Sequence, residues 1–141
     1  PLTIYGDGLQ RRCFCDVRDV VRAYYGLADS EEAIGEIFNV GADYEVTISE
    51  LAQMVLRVVD TVLGRDHQIP IDERITFVSY DVAYPDGFVE MIRRIPNTSK
   101  IRSTIGWQAE RSLESTIYDI FESLRPSVGL RHRDEIQVPA E

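Results

Sequence analysis

The segment from Thr47 to Gly64 constrains this chain more than any other. Thr47-x-x-Glu50 has the pattern of a capping box, in which the hydroxyl and the carboxylate each satisfy a backbone N–H of the other residue. Val46 and Leu51 are placed to staple the entry. Ile48, Leu51, Ala52, Val55, Val58, Val59 and Val62 then recur at i, i+3, i+4, i+7 spacing, and Gly64 ends the run. The spacing predicts a helix whose apolar stripe has to be packed against something else in the chain.

Around it, strand and helix signals alternate. Leu2–Tyr5 is β-favouring, and Gly6-Asp7-Gly8 is a turn with two residues tolerant of positive φ. Gln10 to Cys15 alternates. A helix with Asp16 as N-cap is then expected to bury Val17, Val20, Val21, Tyr24 and Ala28. Asp29 to Gly35 reads as a polar connection, and Ile37 to Gly41 as a buried strand closed by glycine. His67 to Glu73 is a short strand candidate, with Pro70 favouring an edge, and Ile75 to Gly87 is expected to be a structured loop. Pro96 stops one element, and Asn97 or Thr98 caps a short helix that ends at Gly106, before Trp107. Ser112 opens a last helix with Leu113, Ile117, Ile120, Phe121 and Leu124 on one face, terminated by Pro126. The first residue is Pro1 and a strand is already under way at Leu2, which is what a piece of a longer chain would show.

Charge narrows the function classes. The 141 residues carry 15 Lys+Arg against 24 Asp+Glu, a net charge of −9, with no basic block to attract a polyanion. We therefore expect no nucleic-acid partner. No apolar run approaches the roughly 18 residues that span a bilayer, so no membrane partner is expected and the cytoplasm is the expected location. Cys13 and Cys15, two apart, are half a metal site at most and read as small packed thiols, in keeping with a reducing compartment. No metal ligand set is assigned. The glycine-rich dinucleotide fingerprint, the P-loop, H-E-x-x-H and G-x-S-x-G are all absent, and no catalytic residue is assigned. His67 and His132 lack a partner at ligand spacing, and Asp16, Asp19, Glu31 and Glu32 stand where caps and solvated faces are expected. Tyr5, Tyr80 and Tyr84 are either packing residues or a stacking surface for a ligand base.

Two arginine pairs remain. Arg11-Arg12 follows the glycine turn, and Arg93-Arg94 precedes the Pro96 helix start. Composition alone favours salt bridges to the excess acid. The alternative is phosphate binding, because the planar guanidinium fork matches phosphate oxygens and never loses its proton at working pH.

Taken in order, these strings resemble the C-terminal portion of the extended short-chain dehydrogenase/reductase family, the NAD-dependent nucleotide-sugar epimerases, dehydratases and decarboxylases. Leu2 to Asp19 looks like the family's strand, Tyr-Gly-x-Gly, Gln-x-Arg-x-Phe and Val-x-Asp. Asn39-Val40-Gly41, Ile48 to Ala52, Arg94-Ile95-Pro96, Gly106-Trp107 and Ser112-Leu113-Glu114 follow in the family's order. The resemblance implies a mixed α/β fold lacking most of the Rossmann sheet, with 1–125 a substrate-binding domain fragment and 126–141 a loose tail. It implies that Ile4 and Tyr5 lie against the nucleotide base, that Gln10 is near the substrate, and that Arg12 and Arg94 hold the diphosphate. Phe14 and Asp19 occupy positions that look structural. Asp16 stands where the family usually has an aromatic or His, and Asn97 where it commonly has Asp. The implied ligand is a nucleotide-diphosphate sugar, with UDP slightly favoured. NAD is expected in the full-length enzyme and none for this chain alone, since the Tyr-x-x-x-Lys pair is absent as well. The implied partners are a missing N-terminal Rossmann half and, with the helix at Val17 and the strand at Phe38 cut off from that sheet, further copies of the chain. The rival readings are a non-catalytic nucleotide-sugar-binding module and a structural oligomerisation piece.

Overall fold

The computed structural model describes residues 1–65 and 69–126, so the readings of His67, His132 and most of the expected tail lie outside the described residues. The strands form two small sheets. In the first, β1 (Leu2–Tyr5) runs parallel to β4 (Ile75–Val78), with Leu2 opposite Ile75 and Tyr5 opposite Val78. In the second, β2 (Arg11–Cys13) lies between β3 (Glu45–Thr47), to which it is antiparallel, and β5 (Arg93–Arg94), to which it is parallel. The Gly6–Gly8 turn carries the chain from one sheet to the other, with both glycines at positive φ.

The predicted capping box is present. Thr47 Oγ1 accepts from the Glu50 N–H at 3.1 Å, the Glu50 carboxylate accepts from the Thr47 N–H at 2.7 Å, and α2 (Ile48–Leu63) ends at Gly64 in the left-handed region. Ala52 and Leu56 of α2 meet Ile4 and Ile75 of the first sheet, flanked by Leu2, Ile48 and Ile71. Leu56 lies off the predicted stripe. It is buried because α2 packs on two sides, against the sheet and against α5 (Leu113–Leu124), so no single stripe describes its contacts.

The second core joins α1 (Val17–Ala28) to α4 (Ser99–Ile105) through Ala23, Ile101 and Trp107. Here the predicted face is corrected. Val17 is 69% and Tyr24 62% exposed, Val21 and Ala28 are also exposed, and Ala23 is at 0%. Helix α1 turns its small and polar side inward because Asp19 on that side is tied down. One Asp19 carboxylate oxygen accepts the N–H groups of Glu110 and Arg111, both at 3.0 Å, and the other accepts from Arg22 at 2.9 Å. The Asp19 carbonyl takes the Trp107 indole N–H at 3.0 Å. Burial alone would push this carboxyl up, but the Arg111 N–H, Arg22 and the Glu110 N–H together hold it below its ordinary value. Asp16 caps α1 as predicted and also accepts from Thr116 of α5 at 2.9 Å.

Other expectations are corrected as well. Ile37 to Gly41 forms no strand, because no described strand lies beside it to complete a ladder. Ile37 is 87% exposed, while Phe38 and Val40 pack on the second core. Of the strand candidate His67 to Glu73, His67 and Gln68 lie outside the described residues, and the described part holds a 3₁₀ turn, Ile71–Arg74, in place of a strand. The expected loop from Ile75 holds β4 and the one-turn helix α3 (Tyr80–Ala83), since the β-favouring run Ile75-Thr76-Phe77-Val78, three β-branched residues and an aromatic, finds its partner in β1. At the start of α4, Asn97 Oδ1 accepts from the Ser99 N–H at 3.0 Å, while Thr98 is buried without capping. Helix α5 starts at Ser112 as predicted, with Leu113, Ile117 and Phe121 half-buried, but Ile120 and Leu124 are exposed. No helix among the described residues is long and apolar enough to cross a membrane.

Asp19→Asn is expected to cost about 2 kcal/mol of stability at pH 7, because two enclosed N–H groups and Arg22 lose their ionised acceptor. The folded-state pKa is lowered, so the carboxylate's contribution is present above about pH 4 and is lost as the pH falls through that range. Urea unfolding across a pH series should show the gap between wild type and variant closing on the acid side.

Candidate functional site

Strand β2 places its side chains alternately on two faces, and its register with β5 decides which arginines meet. Arg11 stands opposite Arg93 on one face, and Arg12 opposite Arg94 on the other. The first pair is taken up by Glu45 of β3. Arg93 donates to its carboxylate at 3.0 and 3.2 Å, and Arg11 approaches to 3.7 Å. Hydrogen bonding from Arg93 holds the Glu45 carboxyl below its ordinary value. Arg11 and Arg93 are exposed and form a surface ion-pair cluster with Glu45.

Arg12 and Arg94 line a groove of about 660 Å³ together with Phe14, Asn39, Pro96 and Asn97. The Arg12 guanidinium is oriented from two sides, by the Arg11 carbonyl at 2.8 Å and by the carboxylate of Glu90. Arg94 is exposed, and its guanidinium has no hydrogen-bond or ion-pair partner among the described residues. The groove thus offers one arginine held in place by an acid and one with all its donors available, a combination suited to an anion with several oxygens.

The remaining predicted site residues, Ile4, Tyr5 and Gln10, do not line this groove. Tyr5 is 47% exposed, and its ring meets Tyr84 edge-on at 5.8 Å. The Gln10 amide donates to the Tyr5 carbonyl at 3.1 Å, and its own oxygen has no partner. The Ile4 side chain belongs to the first core, so any ligand contact at that position falls to the strand backbone. The tyrosines pack on one another: Tyr84 stacks on Phe88 at 4.1 Å, and Tyr80 leans on both at 5.9 and 5.4 Å. Tyr80 also fills the space over Gly6, where a Cβ would come within 2.4 Å of its ring. Burial, with Glu90 and Asp7 adding to it, pushes the Tyr80 hydroxyl's pKa up.

The sequence reading gives Glu90 no role, and takes Asn39 as part of a strand motif and Asn97 as a helix cap, not as lining of a groove. Glu90 stands 78 positions from Arg12, and no local spacing announces their pairing. Asn39 donates to the Asn97 carbonyl at 3.2 Å, drawing the two sides of the groove together. Burial raises both thiols, helped by Glu45 at Cys13 and by Asp19 at Cys15, so neither is activated as a nucleophile. Among the described residues no cluster of three or more His, Cys, Asp or Glu could hold a metal ion.

Comparison with known proteins agrees over most of the chain. The family model for GDP-mannose 4,6 dehydratase matches residues 1–120. UDP-N-acetyl-alpha-D-glucosaminuronate decarboxylase of Bacillus cytotoxicus is 34% identical over 123 residues, covering 82% of this chain and 34% of that protein. UDP-D-apiose/UDP-D-xylose synthase of Oryza sativa subsp. japonica is 31% identical over 119 residues, covering 83% and 29%. The structure of UDP-glucose 4-epimerase from Thermotoga maritima, solved with UDP-glucose, superposes with a TM-score of 0.66 at 23% identity, covering 90% of this chain and 35% of that one. The chain thus spans about a third of the length of the relatives it matches.

Gly6→Ala is expected to destabilise the chain by about 1–3 kcal/mol, because the residue sits at φ +81° and the new methyl displaces Tyr80. Gly35→Ala, at φ +76° with open space around it, should incur only the backbone part of that cost. Thermal unfolding of the two variants separates the terms.

Proposed function

This chain belongs to the extended short-chain dehydrogenase/reductase family, and we propose that residues 1–125 form the nucleotide-diphosphate-sugar-binding part of an NAD-dependent sugar epimerase or dehydratase, with a UDP-sugar favoured and 126–141 a tail outside that unit. The observation that carries this reading is the convergence of Arg12 and Arg94, distant in the chain, on one face of one sheet and in one groove. A nucleotide-sugar diphosphate remains ionised at neutral pH, and a chain of net charge −9 needs local positive charge to accept it. Arg94 supplies this with free donors, and Arg12 supplies it in a set orientation. The preference for UDP draws on the names of the two curated relatives, both of which act on UDP-sugars by name.

NAD, in this reading, belongs to the complete protein, where it supplies hydride transfer at the sugar. The described residues bind and orient the sugar nucleotide. Helices α1, α2 and α5 open on Asp16, Thr47 and Ser112, whose side chains already accept N–H groups of their own helices, and the reading gives the described residues no NAD contact. The exposed face of α1, with Val17, Val21 and Tyr24, is covered in the complete protein by its nucleotide-binding half. Two unactivated, unpaired thiols fit the cytoplasm.

Two outcomes are expected. In the protein expressed from its complete reading frame, Arg12→Ala or Arg94→Ala weakens UDP-sugar binding by about ten- to a hundredfold, the value of a charge-assisted hydrogen bond or two. Arg11→Ala and Arg93→Ala change it little. Equal, small losses at all four positions, measured by titration calorimetry, would show the arginines to be surface charges. Separately, the isolated chain is expected to associate through its uncovered apolar faces, and sedimentation showing a compact monomer at every concentration would count against that.

A further inference from the structure

The two arginines of the groove differ in one respect that composition does not explain. Arg12 is paired with the Glu90 carboxylate, and the two side chains are 22% and 26% exposed. Arg94, opposite Arg12 in the β2–β5 register, has no partner among the described residues, although the chain carries a net charge of −9. We propose that Glu90 is a built-in competitor for the ligand: its carboxylate occupies Arg12 in the unliganded protein, and a polyanion gains Arg12 only when the Arg12–Glu90 pair opens. This rests on the reading of the groove as a diphosphate site and adds to it a control on when that site is complete.

Three observations separate a competitor from a fixed support. Arg12 keeps its orientation without Glu90, because its Nη1 donates to the Arg11 carbonyl at 2.8 Å, a bond made within β2. Glu90 in turn has Arg12 as its sole hydrogen-bond and ion-pair partner among the described residues. The backbone that carries it is also lightly held. Val89, Glu90 and Met91 lie in no helix or strand and make no backbone hydrogen bond among the described residues. Val89 is 88% and Met91 57% exposed, so their side chains add little hold. Fixed points stand on either side of these three residues, Phe88 stacked on Tyr84 at 4.1 Å and the Ile92 carbonyl accepting the Arg11 N–H at 2.7 Å. Between them the ion pair is what keeps Glu90 at the groove.

The arrangement sets what enters. An anion on Arg94 faces the Glu90 carboxylate across the Arg12 guanidinium, and their repulsion is screened less in a partly enclosed groove than in open water. An anion long enough to span both arginines exchanges one charge-assisted bond on Arg12 for another and offsets the opening of the pair. An anion that reaches Arg94 alone leaves the pair closed. Glu90 therefore lowers the affinity of the groove for every anion, and most for those that cannot bridge it.

Glu90→Gln keeps the shape and removes the charge. In the protein from the complete reading frame, titration with UDP-glucose should show about three- to tenfold tighter binding, the value of one partly enclosed ion pair no longer opened. Its affinity should also fall more steeply with added salt than that of the wild type, because Arg12 is uncompensated before the ligand arrives. Glu90→Ala should tighten binding as well, since the Arg11 carbonyl still orients Arg12. Weaker binding in either variant makes Glu90 a support for Arg12 or for the ligand and overturns the competitor. Unchanged affinity and salt dependence in both overturns it too. If wild type and both variants fail to bind UDP-glucose, the nucleotide-sugar reading falls, and the competitor is decided with inorganic pyrophosphate. Pyrophosphate must then bind Glu90→Gln more tightly than the wild type, and equal binding overturns the competitor.

Discussion

The buried carboxylate of Asp19 is the interaction on which the arrangement of this chain depends. Burying a charge is costly unless it is paired and hydrogen-bonded, and Asp19 meets both conditions with Arg22 and two backbone N–H groups from the 107–111 segment. Its place in the first turn of α1 adds the favourable end of the helix dipole. The Trp107 indole, bonded 88 positions away to the Asp19 carbonyl, packs against Ala23 and closes the second core. This one residue thus decides which side of α1 faces inward, and by exclusion which side is left to water. The exposed apolar side of α1 follows from the placement of a charge, not from any weakness of hydrophobic patterning.

A second constraint is the parity of β2. Three residues of strand sort the arginines, because alternate side chains leave opposite faces of the sheet. Glu45 pairs with both arginines of the Arg11–Arg93 face, and the Arg12–Arg94 face opens on the groove. A one-residue slip between β2 and β5 would exchange the roles. The register is pinned where β2 begins, on one side by the Arg11 N–H to the Ile92 carbonyl and on the other by the Ile48 N–H to the Gln10 carbonyl at the α2 capping box. The strongest local signal in the chain therefore also positions the strand that carries Arg12.

Much of the element order was legible. The capping box, the Asp16 and Ser112 caps and the Gly64 and Gly106 stops were read correctly because each is a local bargain between a side chain and a backbone group within four residues. Ile37 to Gly41 was misread because a strand exists only beside another strand, and composition records propensity without the neighbour. Ile75 to Val78 failed in the opposite direction: its β-favouring residues were outweighed by the Tyr, Pro and Gly that follow, and pairing with β1 decided the matter. Helical periodicity correctly located α1 but could not say which side would be inside, since a buried aspartate looks polar to any pattern.

For the site, a family pattern that needs no coordinates singles out Arg12, Arg94 and Gln10 as expected substrate contacts. The sequence by itself determined that helices α1, α2, α4 and α5 form and where they are capped, and that two arginine pairs stand beside turns, because all of these depend on contacts within a few residues. Only the tertiary structure decided that Arg12 faces Arg94 while Arg11 faces Arg93, that Glu90 reaches Arg12, and that Tyr80 closes over Gly6. Those pairings join segments tens of residues apart. Their energy comes from burial and register, which arise only when the whole chain has packed.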